Sequence, residues 1–312
     1  MKQITQPHSL TVEEINAAIE KDATTFIKSE NRRYFNEVDE VAAALNEQMP
    51  GRCLVMLSGP SSAGKTTTAG KLTESLKLRG RTAHIVSLDD FYRGAGQAPV
   101  LPDGSHDYES VEALNMPLLQ QCMSEILTKG STELPLFNFH TRQPEPYTKT
   151  LCVHENDVVI FEGIHALNPI LEEHLPKDNV FKIFINVMQP IYDGWDKVLA
   201  RRDLRLVRRL LRDYRFRNSS IENTLNMWKQ VVRGENLYMF PFVDTADVIF
   251  DTTHAYEPAM LGPQLLPLLQ KVSPDSVHAE TIARLIDVLS KFTPLSVDML
   301  PAESLLREFV GK

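Results

Sequence analysis

Cys53-Leu-Val-Met-Leu-Ser58 followed by Gly59-Pro-Ser-Ser-Ala-Gly64-Lys65-Thr66-Thr67 is the stretch that decides the fold. The first six residues are a short apolar run of the kind that fills a strand buried on both faces. The glycine segment matches G-x-x-x-x-G-K-[ST], and after the loop from Gly59 to Thr68 a helical stretch runs to Arg79-Gly80. Strand, loop and helix in that order make an anion cradle. Glycines let the backbone fold tightly, so that successive amides and the helix N-terminus face a phosphate group. Lys65 then reaches the β- and γ-phosphates as a point charge, and the Thr66 hydroxyl can ligate a metal ion. Gly59, Ser61, Ser62, Ala63, Gly64, Lys65, Thr66 and Thr67 are the candidate nucleotide-binding residues, with ATP and Mg²⁺ as the expected cofactors. The bland alternative is an ordinary glycine turn.

Working outward, residues 83–88, 158–161, 181–187 and 248–250 are further apolar runs, separated by segments long enough for helical crossovers. That alternation predicts an α/β fold of the P-loop NTPase type: a mostly parallel sheet with helices on both faces. Residues 1–50 read as an N-terminal helical appendage. Its helix, over 11–48, opens on a capping box of Thr11 and Glu14 and ends at Met49-Pro50-Gly51. Residues 51–272 form the kinase-type domain, with a β-hairpin inserted at about 133–153 and a lid helix at about 199–218, and residues 273–312 form a helical C-terminal cap. Inserted hairpins often carry specificity.

Composition removes several function classes. The chain has 312 residues, 43% hydrophobic, with 41 acidic against 33 basic side chains and a net charge of −8. Broad binding to nucleic acid or to a membrane surface does not fit that balance, so an anionic ligand needs a local basic site. Cys53, Cys122 and Cys152 show no CxxC spacing and fit a reducing compartment. The N-terminus lacks the apolar core of a signal peptide, and no run of 18 apolar residues occurs, so a soluble, cytoplasmic protein is expected. The apolar stripe of the N-terminal helix can face the kinase body or a second subunit, which leaves a homo-oligomer open.

Two acids lie where ligands of open α/β sheets collect. Ser87-Leu-Asp89-Asp90-Phe-Tyr92 closes the second strand, and Asp89 is the candidate general base, also placed to hold metal-bound water. Its alternative role is a helix cap, the favoured role for Asp90. Val158-Val-Ile-Phe-Glu162-Gly163 is an apolar strand ending in an acid, an arrangement that serves Mg²⁺ through water; a salt bridge to a helix is the alternative. Residues 195–217 carry Arg201, Arg202, Arg205, Arg208, Arg209, Arg212, Arg215 and Arg217, and positions 205, 208, 212 and 215 share a helical face. A basic face in an acidic protein suits the charge of a transferring phosphoryl group. A solvated helix with Asp196, Asp203 and Asp213 as partners, or an RNA-binding stripe, are the rivals.

These motifs, with Asp107-Tyr-Glu-Ser-Val-Glu-Ala-Leu114, Phe161-Glu-Gly-Ile-His165 and the terminal Pro301-Ala-Glu-Ser-Leu-Leu-Arg-Glu-Phe-Val-Gly311, resemble the uridine kinase and phosphoribulokinase family over about residues 40–312. The likeness is strongest to bacterial uridine kinase-like nucleoside kinases. It implies that Asp89 is the catalytic base and that Glu162 serves Mg²⁺. It also implies that Asp107 holds ribose hydroxyls and that Tyr92, Phe137, His140 and His165 belong to the substrate side. Arg208 and Arg212 become catalytic lid residues, and Arg209 and Arg217 substrate contacts. Read without the resemblance, each histidine is structural. Phe137-Asn138-Phe139-His140 departs from the tyrosine, and slightly later histidine, of true uridine kinases, which leaves base recognition open. The threonyl-tRNA synthetase-like N-terminal half of many bacterial relatives has no counterpart in the roughly 50 residues before the first strand.

The expected activity is ATP-dependent transfer to the 5′-hydroxyl of a nucleoside resembling uridine or cytidine. The rivals are another small hydroxyl acceptor, such as pantothenate, glycerate or a sugar phosphate, and a non-catalytic ATP-dependent switch. A sugar phosphate calls for basic residues near the hairpin, where residues 135–147 offer only Arg142.

Overall fold

The computed structural model describes residues 2–3 and 9–311. In chain order, β1 (Lys2–Gln3) and β2 (Leu10–Thr11) precede the long helix α1 (Val12–Gln48), then β3 (Cys53–Ser58), α2 (Lys65–Leu78), β4 (Ala83–Ser87) and α3 (Met116–Lys129). An excursion of β5 (Ser131–Leu134), β6 (Phe137–Asn138), β7 (Gln143–Pro144) and β8 (Lys149–Cys152) leads to β9 (Val158–Glu162) and β10 (Val180–Asn186). After β11 (Ile191–Asp193) and β12 (Asp196–Leu199) come α4 (Arg201–Phe216), α5 (Ile221–Tyr238), β13 (Val248–Asp251), α6 (Glu257–Leu269), α7 (Ala279–Leu289) and the short α8 (Arg307–Val310).

The main sheet runs β1-β13-β10-β3-β9-β4, with every pair parallel. Strand alternation divides its side chains between two cores. Cys53, Val55, Leu57, Val158 and Ile160 face α1, α2, α4 and α6, whereas Leu54, Met56, Val159 and Phe161 face α3. Both faces are covered, so β3 and β9 carry unbroken apolar sequence and are buried along their whole lengths. β4 is the edge strand and is only partly buried, which departs from the expectation of a further fully buried strand.

Helix α1 starts on the capping box, Thr11 Oγ1 accepting the Glu14 amide at 3.1 Å and Glu14 Oε2 accepting the Thr11 amide at 3.1 Å. It kinks at Asp22 (φ −168°, ψ 91°), whose carboxylate accepts the Thr25 amide at 3.0 Å and so caps the second segment. Its apolar stripe, including Ile27, Tyr34, Val38 and Leu45, enters the same core as the sheet. The stripe therefore faces the sheet and the helices packed on it. Leu305, Leu306 and Phe309 join that core from the C-terminal end.

The excursion pairs β5 with β8 and, farther out, β6 with β7, both antiparallel. Sequence reading missed the hairpin of β11 and β12, whose turn holds Gly194 at φ +58° and a fully exposed Trp195. Among the described residues, no helix is long and apolar enough to cross a membrane.

Candidate active site

The loop between β3 and α2 is shaped by backbone that side chains rarely tolerate. Ser62 and Gly64 have φ of +60° and +91°. A Cβ on Gly64 would lie 2.6 Å from Leu305 Cδ1, and one on Gly59 would lie 2.5 Å from the Ile185 carbonyl oxygen. Helix α2 then begins at Lys65 with no side-chain cap, leaving first-turn amides free for an anion. The Lys65 ammonium lies across the loop, donating to the carbonyls of Gly59 (2.9 Å) and Pro60 (3.4 Å). Thr67 Oγ1 donates to Glu308 Oε2 at 2.6 Å.

Helix α4 crosses this loop, and its arginines divide into two sets. Arg205 makes a two-pronged pair with the fully buried Glu235 (2.7 and 2.9 Å) and donates to the Ser61 carbonyl at 3.0 Å. Arg208 pairs with Glu257 (2.6 and 3.1 Å) and donates to the carbonyls of Thr252 (2.8 Å) and Ser62 (3.3 Å). Buried charges persist only when paired and hydrogen-bonded in this way. The catalytic role expected for Arg208 is thereby corrected: its guanidinium is fully buried and braces the loop from behind. The expected face of 205, 208, 212 and 215 is corrected too. Arg215 bonds the Val310 carbonyl and Gln264. Arg209, Arg212 and Arg217 line the cleft instead. Arg209 bonds Ser61 Oγ at 2.6 Å, and Asp213 holds Arg209 at 3.1 Å and Arg212 at 2.8 Å. Ser61 departs from its expected part as well, because its amide is taken by Glu235 at 2.9 Å.

The cleft measures about 260 Å³ and brings Lys65, Thr66, Asp89, Glu162 and the three outer arginines together. Ser87 Oγ accepts the Asp89 amide at 3.3 Å and so caps the turn after β4, and among the described residues the Asp89 carboxylate enters no hydrogen bond or ion pair. The surrounding protein pushes that carboxyl above the ordinary range, with Lys65 and Arg217 pulling it back. Burial likewise raises Glu162 at the end of β9, against the pull of Lys65. Asp90 is structural, accepting the Phe137 amide at 3.2 Å and fastening the excursion to the sheet.

On the other side, Tyr92 lines the cleft, with its ring centroid 5.8 Å from that of Phe137; Phe137 is in turn 5.2 Å from Phe139. A second cavity of about 270 Å³, lined by Tyr92, Arg93, Gln97, Asn115 and Pro144, adjoins it. His140 does not reach the cleft: it is exposed at the hairpin turn, its amide bonded to Asn138 Oδ1 at 2.9 Å. His165 is buried, with its ring centroid 6.4 Å from that of Tyr238. Burial lowers its pKa to about 4, against the Glu109 backbone and Asp107, so it stays neutral near pH 7. Asp107 is buried, its Oδ2 accepting the Tyr238 hydroxyl at 2.7 Å and Arg233 at 3.2 Å.

Three acids that the sequence reading did not single out, Glu109, Glu235 and Glu308, also line the cleft. Burial raises the Glu109 carboxyl to about 7, with Arg209 opposing and Glu235, Asp89 and Asp107 reinforcing. Glu109 and Glu308 each sit inside a stretch quoted for its resemblance, which was the available signal; Glu235 gave none.

A model of the phosphoribulokinase / uridine kinase family matches residues 54–257. The uridine kinase of Lactobacillus helveticus is 27% identical over 199 residues, which are 63% of this chain and 84% of that protein. The uridine kinase of Deinococcus deserti is 27% identical over 210 residues, 66% of this chain and 91% of that protein. Among solved structures, a possible uridine kinase from Bacillus stearothermophilus is 16% identical with a TM-score of 0.47, covering 69% of this chain and 97% of that one. A D-glycerate 3-kinase from Cryptococcus neoformans is 18% identical with a TM-score of 0.33, covering 95% of this chain and 90% of that one.

Proposed function

The chain belongs to the phosphoribulokinase and uridine kinase family of P-loop kinases, and from that membership we propose that it transfers the γ-phosphoryl group of ATP to the 5′-hydroxyl of a nucleoside. The observation that carries the reading is the uncommitted Asp89 carboxylate in one cleft with Lys65, Thr66 and the outer arginines. Asp89 takes the proton of the acceptor hydroxyl, and its raised pKa makes it a better base than an ordinary aspartate. Lys65 leaves the loop carbonyls for the phosphates, while Arg212 and Arg217 balance charge on the transferring group. The uncapped amides of the first turn of α2 hold the phosphates already bound.

Thr66 Oγ1, Glu162 and Asp89, which line the cleft together, offer hard oxygen donors, the chemistry Mg²⁺ prefers. When bound there, Mg²⁺ supplies positive charge to the phosphates. Among the described residues, no cluster of three or more histidine, cysteine, aspartate or glutamate side chains could hold a metal alone.

A nucleoside is favoured over an anionic acceptor because the acceptor side of the cleft is acidic and aromatic, with Glu109, Asp89 and Tyr92 lining it. The relatives named uridine kinase point the same way. Tyr92 and Phe137, beside the second cavity, supply a surface for a base. The test is incubation with Mg·ATP and a panel of nucleosides, pantothenate, glycerate and sugar phosphates, with Asp89→Asn as the blank and products identified by mass. A nucleoside monophosphate absent from the blank supports the reading. Turnover of only another acceptor overturns the nucleoside assignment, and tight ATP binding without product favours a switch.

A further inference from the structure

Helix α1 lies ahead of residues 54–257, which carry the family match, yet two adjacent residues of it reach the phosphate loop. Tyr34 is fully buried, and its hydroxyl lies 3.0 Å from Thr68 Oγ1. Thr68 is buried too, and its amide closes the first turn of α2 on the Gly64 carbonyl at 2.9 Å. The Tyr34 ring is wedged in place, with its centroid 5.5 Å from that of Phe250 and 5.3 Å from that of His254. Burial raises its pKa, so the hydroxyl keeps its proton.

Arg33 takes the second route. It donates to the Glu37 carboxylate at 2.9 Å and to the Thr253 carbonyl. The preceding residue, Thr252, donates its hydroxyl to the Ala63 carbonyl of the loop at 2.7 Å. The two routes meet the chain at Ala63 and at Thr68, so they bracket Gly64, Lys65, Thr66 and Thr67. Other polar ties of α1 end elsewhere. Asp39 accepts from Ser75 (2.6 Å) and Arg79 (2.6 and 2.7 Å) at the far end of α2. Asn31 donates to the Tyr256 hydroxyl at 2.8 Å.

We propose that α1 is a working part of the nucleotide site, with Tyr34 and Arg33 as positioning residues that hold the phosphate-binding backbone in shape before the nucleotide arrives. This rests on the kinase reading above for the identity of the ligand. Donors fixed in advance cost no reorganisation when the anion binds, and a loop held in the left-handed region at Ser62 and Gly64 keeps that shape only when its surroundings enforce it.

The test measures the Kd of Mg·ATP by calorimetry, which needs no acceptor, together with the melting temperature. Tyr34→Phe and Thr252→Val each remove one hydroxyl and keep the packing; Arg33→Lys keeps the charge and loses the fork. Each should raise Kd by about 3- to 10-fold, the worth of one net hydrogen bond. Tyr256→Phe takes the same group from the same core and should lower the melting temperature as much as Tyr34→Phe does, by about 2–4 °C. Its Kd should nevertheless stay within about 2-fold of wild type, as should that of Asp39→Ala, because neither residue touches the loop. In turnover, the KM for ATP should follow Kd while the KM of the acceptor stays put. The proposal is overturned if Tyr34→Phe leaves Kd unchanged, or if Tyr256→Phe raises it equally. Thr252→Val reads the second route alone, so an unchanged Kd there overturns the proposal even where Tyr34→Phe does not fold. Wild type that binds Mg·ATP with these dependences but phosphorylates no nucleoside sinks the acceptor assignment and keeps this inference. Wild type that does not bind Mg·ATP sinks both.

Discussion

Glu308, two residues from the end of α8, accepts the Thr67 hydroxyl at 2.6 Å, so a carboxylate occupies the first turn of the phosphate-loop helix. Anions are favoured at that position, which is also where a nucleotide's phosphates must settle. Glu308→Gln keeps an oxygen for Thr67 and removes the charge. Its KM for ATP should fall about 3- to 10-fold, on the order of 1 kcal/mol, as steady-state kinetics at low salt will read. An unchanged or higher KM would show that the carboxylate does not compete with the nucleotide.

The pair of Arg205 and Glu235 is fully desolvated and also holds both the carbonyl and the amide of Ser61. Glu235→Ala leaves a buried guanidinium without its partner and should cost about 3–5 kcal/mol in denaturant unfolding. A loss below about 1 kcal/mol would mean that the pair contributes little beyond its own desolvation.

Asp89→Asn keeps the shape of the cleft and removes the proposed base. kcat should drop by about 10²- to 10⁴-fold, with the KM for ATP within about 3-fold of wild type because the phosphate cradle is untouched. Rapid-quench measurement of the transfer step checks this directly.

Gly64→Ala meets two obstacles, a φ of +91° and Leu305 at 2.6 Å. Stability should fall by about 1–3 kcal/mol and nucleotide affinity with it. Calorimetry with ATP and thermal melts should show both losses together.

Glu109 gives stability a pH signature. Its carboxyl is raised to about 7 in the folded protein from 4.5, so the folded state holds that proton more tightly than the unfolded chain. The contribution is complete below pH 4.5 and is lost as pH rises through about 7. Glu109→Gln has nothing to ionise. Its melting temperature relative to wild type should therefore climb between about pH 5 and 8 and be flat below about 4; a flat difference across the whole range would contradict the raised value.

The fold was legible because its signals are local. The apolar run at Cys53, the glycines at 59 and 64, and the capping box of Thr11 and Glu14 each follow from a few adjacent residues. The arginine helix shows where such reading stops. Helical periodicity groups Arg205, Arg208, Arg212 and Arg215, but Glu235 and Glu257, far away in sequence, draw the first two inward. Glu308 reaches the cleft only because the C-terminal segment packs on α2 and α4, and no spacing around Thr67 announces that.

Helix α4 is clamped at both ends: Arg205 and Arg208 tie it to Glu235 and Glu257, and Arg215 ties it to the Val310 carbonyl and Gln264. Arg209, Arg212 and Arg217, which line the cleft, are thus carried on a rod that the rest of the protein holds still. Substitutions at the clamping arginines should therefore cost structure, and those at the cleft arginines should cost speed.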